Sequence, residues 1–88
     1  MILRTTNRFE RDLKRAKRRG KHLDKLWAVL EVLLAGGERH ARHRTHRLSG
    51  QWSEFRECHI EPDWLLIWDL QEDALVLVRT GTHSDLFG

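Results

Sequence analysis

WSEFRECHIEPDWLLIWDLQEDALVLVRT, residues 52–80, is the stretch that decides the fold. Three apolar-rich runs, 52–60, 64–70 and 74–80, are separated by Glu61-Pro62-Asp63 and by Gln71-Glu72-Asp73. Pro62 has the fixed φ that suits a turn, and the acidic pair Glu72-Asp73 interrupts an otherwise apolar sequence. Three strands joined by two tight turns are predicted. Upstream, Leu23, Leu26, Trp27, Leu30, Leu33 and Leu34 recur at helical spacing and Gly36-Gly37 follows, which predicts a helix over 23–35 buried on that face. Before it, Phe9, Leu13 and Ala16 mark a basic amphipathic helix. Asn7 with Glu10 has the spacing of an N-terminal capping box, and Gly20 suits the left-handed residue past a helix end. Residues 1–5 read as a first strand. The expected class is α+β: βααβββ, a mostly antiparallel, twisted sheet packed against a helical hairpin.

Eighty-eight residues are one domain's worth of chain, and a chain this short buries only about 60 to 65% of its unfolded surface. A single domain over 1–88 is expected. With 40% apolar and 33% charged residues, the composition fits a folded globular domain and argues against full disorder. The charge-free runs fall far short of the roughly 20 residues that cross a bilayer. The N-terminus lacks a secretory pattern and Cys58 has no partner cysteine, so no membrane association and a cytoplasmic location are expected.

Net charge is uneven along the chain. Residues 1–50 hold 14 Lys/Arg against 5 Asp/Glu, and residues 51–88 hold 2 against 8. The basic half carries Arg8, Arg11, Lys14, Arg15, Arg18, Arg19 and Lys21 on or beside the first helix. Arg39, Arg42, Arg44 and Arg47 follow in the segment ERHARHRTHR, which has no apolar stripe and reads as a loop or frayed helix. Cationic side chains against phosphates release condensed counterions, so this half suits a polyanion; a solvated helix face has equal weight on charge alone.

Hairpin geometry converges the polar residues. A turn at Pro62 leaves His59 and Asp63 near one end of a strand pair, and a turn at Glu72 returns the last strand so that Thr80 arrives beside Trp64, with Gly81-Thr82-His83 close to Asp63. Imidazoles suit proton transfer near neutrality, and a carboxylate beside one fixes its tautomer. Arg79 could set a positive charge near a phosphate, and Trp64 and Phe87 could carry an unstacked base. Taken singly, each has a plainer reading: a structural histidine, a turn-forming aspartate, core aromatics, an arginine paired with the acidic half. Their convergence favours a site. His40, His43 and His46 recur every three residues, but the arginines between them oppose a cation and zinc-type spacings are absent, so no metal and no cofactor are expected. Cys58 and His59 are adjacent on a strand and point to opposite faces, which leaves Cys58 structural.

The segments His46-Arg47-Leu48, Gly50-Gln51-Trp52, Arg56-Glu57-Cys58-His59, Glu61-Pro62-Asp63-Trp64 and residues 79–88, RTGTHSDLFG, resemble the YafQ branch of the RelE-like bacterial toxins. The likeness is specific from about residue 46 onward; the first half matches in helix layout and basic character. It implies a toxin of a type II toxin–antitoxin system: a metal-independent, ribosome-dependent mRNA endoribonuclease using 2′-hydroxyl attack and silenced by a cognate antitoxin. By the same resemblance His46, His59, Asp63 and His83 form the catalytic group, and Trp64 and Phe87 support mRNA; Arg79 joins the mRNA-contacting set by its place at the end of the last strand. The basic residues named above would meet ribosomal RNA or the antitoxin. His46 comes from the resemblance alone, since strand register puts Trp52 at the far end of the sheet from Asp63 and the preceding loop must double back. Six residues span about 20 Å at most, which allows it. Two other functions fit the fold: a ParE-like gyrase inhibitor, disfavoured by the histidine set, and a non-catalytic RNA-binding module.

Overall fold

The computed structural model describes residues 2–35, 46–47 and 55–88. The order is β1 (Ile2–Thr5), α1 (Asn7–Arg18), α2 (Leu23–Leu34), β2 (His46–Arg47), β3 (Arg56–Glu61), β4 (Trp64–Gln71), β5 (Ala74–Gly81) and α3 (His83–Phe87). The sheet runs β1-β5-β4-β3-β2. β1 lies parallel to β5, and every other neighbouring pair is antiparallel. The expected α+β architecture is present, with two additions: the edge strand β2 and the closing helix α3.

β4 is the middle strand and is covered on both faces, which explains its unbroken apolar run Trp64–Trp68. Trp64, Leu66 and Trp68 join Cys58, Leu75 and Leu77 beneath Phe9 and Ala16 of α1 and Leu26, Val29, Leu30 and Leu33 of α2. On the opposite face Leu65 and Ile67 pack with Leu86 of α3, Phe55 and Val78. The expected buried side of α2 is corrected at two positions. Trp27 and Leu34 are exposed and Val29 is buried. The i, i+3, i+4, i+7 set that meets the sheet is 26, 29, 30 and 33, and residues 27 and 34 lie a further 100° round the helix.

α1 starts one residue earlier than the Asn7–Glu10 spacing suggests. Thr6 is the cap: its hydroxyl accepts from Phe9 N–H at 3.0 Å and donates to the Val78 carbonyl at 2.7 Å, while its own N–H donates to the Leu77 carbonyl. Thr6 thus ends β1 and begins α1 while bonded to β5. Glu10 instead accepts from the Thr5 hydroxyl. The helix ends in a Schellman motif, Lys21 N–H donating to the Ala16 carbonyl and Gly20 N–H to the Lys17 carbonyl, with Gly20 at φ 78°.

His46 and Arg47 fall in the segment read as a loop, but their backbone pairs with β3, His46 opposite Glu57 and Arg47 opposite Arg56. His46 and Arg47 thus run antiparallel beside β3. Residues 38–45, Gly36-Gly37 and 48–52 lie outside the described residues. The turn falls at Glu72-Asp73, one half-step later than expected, and a bulge at Val78 in β5 shifts the pairing by one further residue, so that Thr80 faces Leu66 rather than Trp64. The Trp64 indole N–H nevertheless reaches the Thr80 hydroxyl, donating at 3.0 Å, and that hydroxyl donates to the Leu65 carbonyl at 2.6 Å.

One buried carboxylate joins α1 to the sheet. Asp12 is 4% exposed and accepts from Arg79 Nε at 2.6 Å, Arg79 Nη2 at 3.0 Å, Arg15 Nη2 at 3.0 Å and the Thr80 backbone N–H at 3.1 Å. Removing one partner of such a buried pair strands the other's charge, at about 3 to 5 kcal/mol. Asp12→Ala is expected to lower unfolding free energy by about 3 kcal/mol in urea titration; a loss under about 0.5 kcal/mol, the ordinary range for a surface substitution, would contradict this role.

Candidate active site

The site lies where the β3–β4 turn meets the end of β5. Pro62 and Asp63 form that turn, and α3 starts two residues after β5 ends. Asp63 Oδ1 accepts from the His83 backbone N–H at 2.9 Å and lies 2.7 Å from His83 Nδ1. These two bonds, the backbone one foremost, hold the Asp63 carboxyl below its usual range. A carboxylate can only accept, so Nδ1 carries a proton, which leaves Nε2 as the ring nitrogen free to exchange one. The His59 ring stands 5.8 Å from the His83 ring, centroid to centroid, tilted by 41°. Both members of the pair are open to solvent, the His83 side chain at 54% and Asp63 at 65%.

The expected convergence of His59, Asp63 and His83 is what the structure shows. His46 joins at the level of the backbone, on the strand next to β3 and opposite Glu57, two residues from His59. Phe87, at the end of α3, is 44% exposed and offers an aromatic surface. Trp64 does not. It is 1% exposed, packed in the core, with Lys21 Nζ 5.5 Å over its ring. Its place in the mRNA-contacting set is corrected: the β3–β4 turn points the indole beneath the helical hairpin, where no base can stack. Arg79 gives two of its guanidinium nitrogens to Asp12, which raises its pKa. It also lines a hollow of about 320 Å³ with Arg8, Arg11, Asp12, Arg15 and Arg18.

The remaining basic residues divide by partner. Arg8, Arg11, Arg15 and Arg18 share one face of α1 beside that hollow, and Lys14 is exposed. Arg19 pairs with Asp85 at 2.7 Å, and Lys21 with Glu61 at 2.8 Å. Arg47 is described only as backbone in β2, and Arg39, Arg42 and Arg44 lie outside the described residues. Among the described residues no group of three or more His, Cys, Asp or Glu is arranged to hold a metal, and no helix is long and apolar enough to cross a membrane. Burial pushes the Cys58 thiol up to about 12, so it is no nucleophile near neutrality.

Asp12, Glu61 and Asp85 shape this region and were not singled out in the sequence. Asp12 had a signal, as the one aspartate among the bases of α1. Asp85 had another, because Thr82-x-x-Asp85 has capping-box spacing.

A family described as a bacterial toxin of type II toxin-antitoxin system, YafQ, matches residues 1–88. The chain belongs to the YafQ toxin family. The mRNA interferase toxin YafQ of Escherichia coli strain K12 is 37% identical over 84 residues, covering 94% of this chain and 91% of that one. The crystal structure of YafQ from E. coli strain BL21(DE3) superposes with a TM-score of 0.91 at 34% identity, over 98% of this chain and 97% of that one. YafQ in the E. coli DinJ-YafQ toxin-antitoxin complex does so at 0.89 and 36%, over 98% and 96%. This YafQ-family chain is a toxin of a type II toxin–antitoxin system.

The turn that carries Asp63 is tied to the helices through Glu61. Lys21 and Lys25 donate to its two carboxylate oxygens at 2.8 and 2.7 Å and draw its pKa down to about 2, Lys21 foremost. A carboxyl depressed by folding stabilises the folded state above its unfolded pKa of about 4.3, and that contribution fades as pH falls through the folded value. Glu61→Gln is therefore expected to be less stable than the wild type above about pH 5 and to converge with it toward pH 2, in urea titrations across that range. A pH-independent gap would refute the clamp.

Proposed function

We propose that this toxin is a ribosome-dependent mRNA endoribonuclease that works without a metal, by attack of a 2′-hydroxyl on the adjacent phosphorus. The observation that carries this is the solvent-open His83, its Nδ1 and its backbone N–H both on Asp63, with the His59 ring 5.8 Å away. Such cleavage needs a base for the 2′-hydroxyl proton and an acid for the departing 5′ oxygen, and leaves a 2′,3′-cyclic phosphate and a 5′-hydroxyl. His83 and His59 form the proton-transfer pair, with Asp63 holding the His83 tautomer. His46 completes the catalytic group, and His46 and Asp63 can substitute in either role. Phe87 supports an unstacked mRNA base.

Arg8, Arg11, Arg15, Arg18 and Arg79, around one hollow, supply positive charge for a nucleic-acid backbone. Asp12 orients Arg79 and Arg15 there. The E. coli relative has been solved within the DinJ-YafQ toxin-antitoxin complex. A cognate antitoxin covering the same basic face would silence this toxin by occlusion.

His83→Ala is expected to keep its thermal midpoint and to lose cleavage on programmed ribosomes by at least about 100-fold, the scale of general acid–base catalysis. Mapping transcript 5′ ends soon after induction checks it in cells. Full cleavage by a folded His83→Ala variant would overturn the site, and intact transcripts with DNA damage under the wild type would identify a gyrase inhibitor instead. Reversing Arg8, Arg11 and Arg18 together is expected to weaken ribosome binding and flatten its salt dependence, measured by sedimentation, while mRNA already bound is cut at the normal rate. Unchanged affinity would remove this surface from the reading.

A further inference from the structure

His83 is more than half exposed, and its ring is fixed by Asp63 and by the backbone from which it projects rather than by core packing. The question is what fixes that backbone. α3 has five residues, far too few to hold helical form unaided. Two things hold it: Leu86, buried against Leu65 and Ile67, and a reciprocal capping box at its first turn. In that box the Thr82 hydroxyl accepts from Asp85 N–H at 3.0 Å, and Asp85 Oδ2 accepts from Thr82 N–H at 2.9 Å.

The Asp85 carboxylate is itself gripped from α1. Arg19 donates to both of its oxygens, at 2.7 and 3.3 Å, and Arg15 Nη2 lies 3.6 Å away. Arg15 also bonds Asp12, so the clamp is continuous with the buried pair that ties α1 to β5. The approach is close: a Cβ on Gly81 would lie 2.9 Å from Asp85 Cβ and Oδ2 and 3.1 Å from Arg15 Nη2. Only glycine lets the end of β5 pass beneath the carboxylate.

We propose that Asp85, clamped by Arg19 and Arg15, is a positioning residue for His83: it locks the first turn of α3 to α1 and so sets the backbone N–H and imidazole that meet Asp63. The proposal rests on the reading of His83 as a proton-transfer group. Arg19 chiefly, with Thr82, holds the Asp85 carboxyl well below the usual range, so the clamp stays charged throughout the neutral range. Asp85 touches no reacting atom. Its loss leaves the His83 side chain in place but releases its aim, and a misplacement of about 1 Å costs on the order of 100-fold in rate.

Asp85→Ala is compared with wild type and His83→Ala in single-turnover cleavage on programmed ribosomes, with thermal melts and with ¹⁵N spectra of the His83 ring. The expected result for Asp85→Ala is a 10- to 100-fold lower cleavage rate at unchanged ribosome affinity, with the His83 Nδ1 signal shifted as its bond to Asp63 is lost. Asp85→Asn, which keeps an oxygen for Thr82 N–H, recovers part of the rate. If Asp85→Ala does not fold, Arg19→Ala leaves the capping box intact and must show the same ring shift and slower cleavage. A wild-type rate with an unmoved His83 signal in a folded Asp85→Ala, or in its Arg19→Ala substitute, overturns the positioning role while His83→Ala remains inactive. Full activity of His83→Ala sinks the catalytic reading instead, and the ring spectra then still report whether Asp85 aims the imidazole.

Discussion

The carboxylate of Asp12 is the constraint on which the arrangement depends. It sits where α1 crosses β5 and accepts four hydrogen bonds, three from arginine nitrogens and one from the Thr80 backbone. A buried carboxylate survives only when its lone pairs are taken, and the largely buried Arg79 beside it requires the same anion. Packing alone leaves a helix free to slide by a fraction of a turn. Directional bonds to one point on the strand do not, so the register of α1 against β5 follows from Asp12.

That register matters because the site is assembled outside the core. Asp63 and His83 are open to solvent, and they have little apolar packing to hold them. Polar ties do the work instead. Lys21 and Lys25 bind the β3–β4 turn through Glu61, and Arg19 and Arg15 bind the start of α3 through Asp85. The basic helix α1 thus serves two ends. Some of its cations stand around the hollow near Arg79, and others are bound to the acidic residues of the second half.

The opposed charges of the two halves of the chain therefore have an internal meaning as well as an external one. Asp85 and Glu61 belong to the acidic half and Arg19, Lys21 and Lys25 to the basic half, and they meet across the fold. Beside the hollow stand Arg8, Arg11, Arg15, Arg18 and Arg79, of which Arg15 and Arg79 are bonded to Asp12.

By itself the sequence determined the class of fold and the convergence of three polar residues at one sheet end. The unbroken WLLIW run between two turn signals specified a central strand, the spacing of Leu26, Leu30 and Leu33 specified a helix that packs on it, and a Pro-Asp turn between strands put His59, Asp63 and His83 at one sheet end. These are local or nearest-neighbour properties, carried by periodicity and turn chemistry. Only the tertiary structure decided that Trp64 points into the core, that Trp27 stays outside, that His46 returns on an edge strand, and that Asp12 and Asp85 hold the frame. Asp12 and Asp85 are held by partners 66 to 68 residues away, and no spacing along the chain encodes which face such a contact will claim.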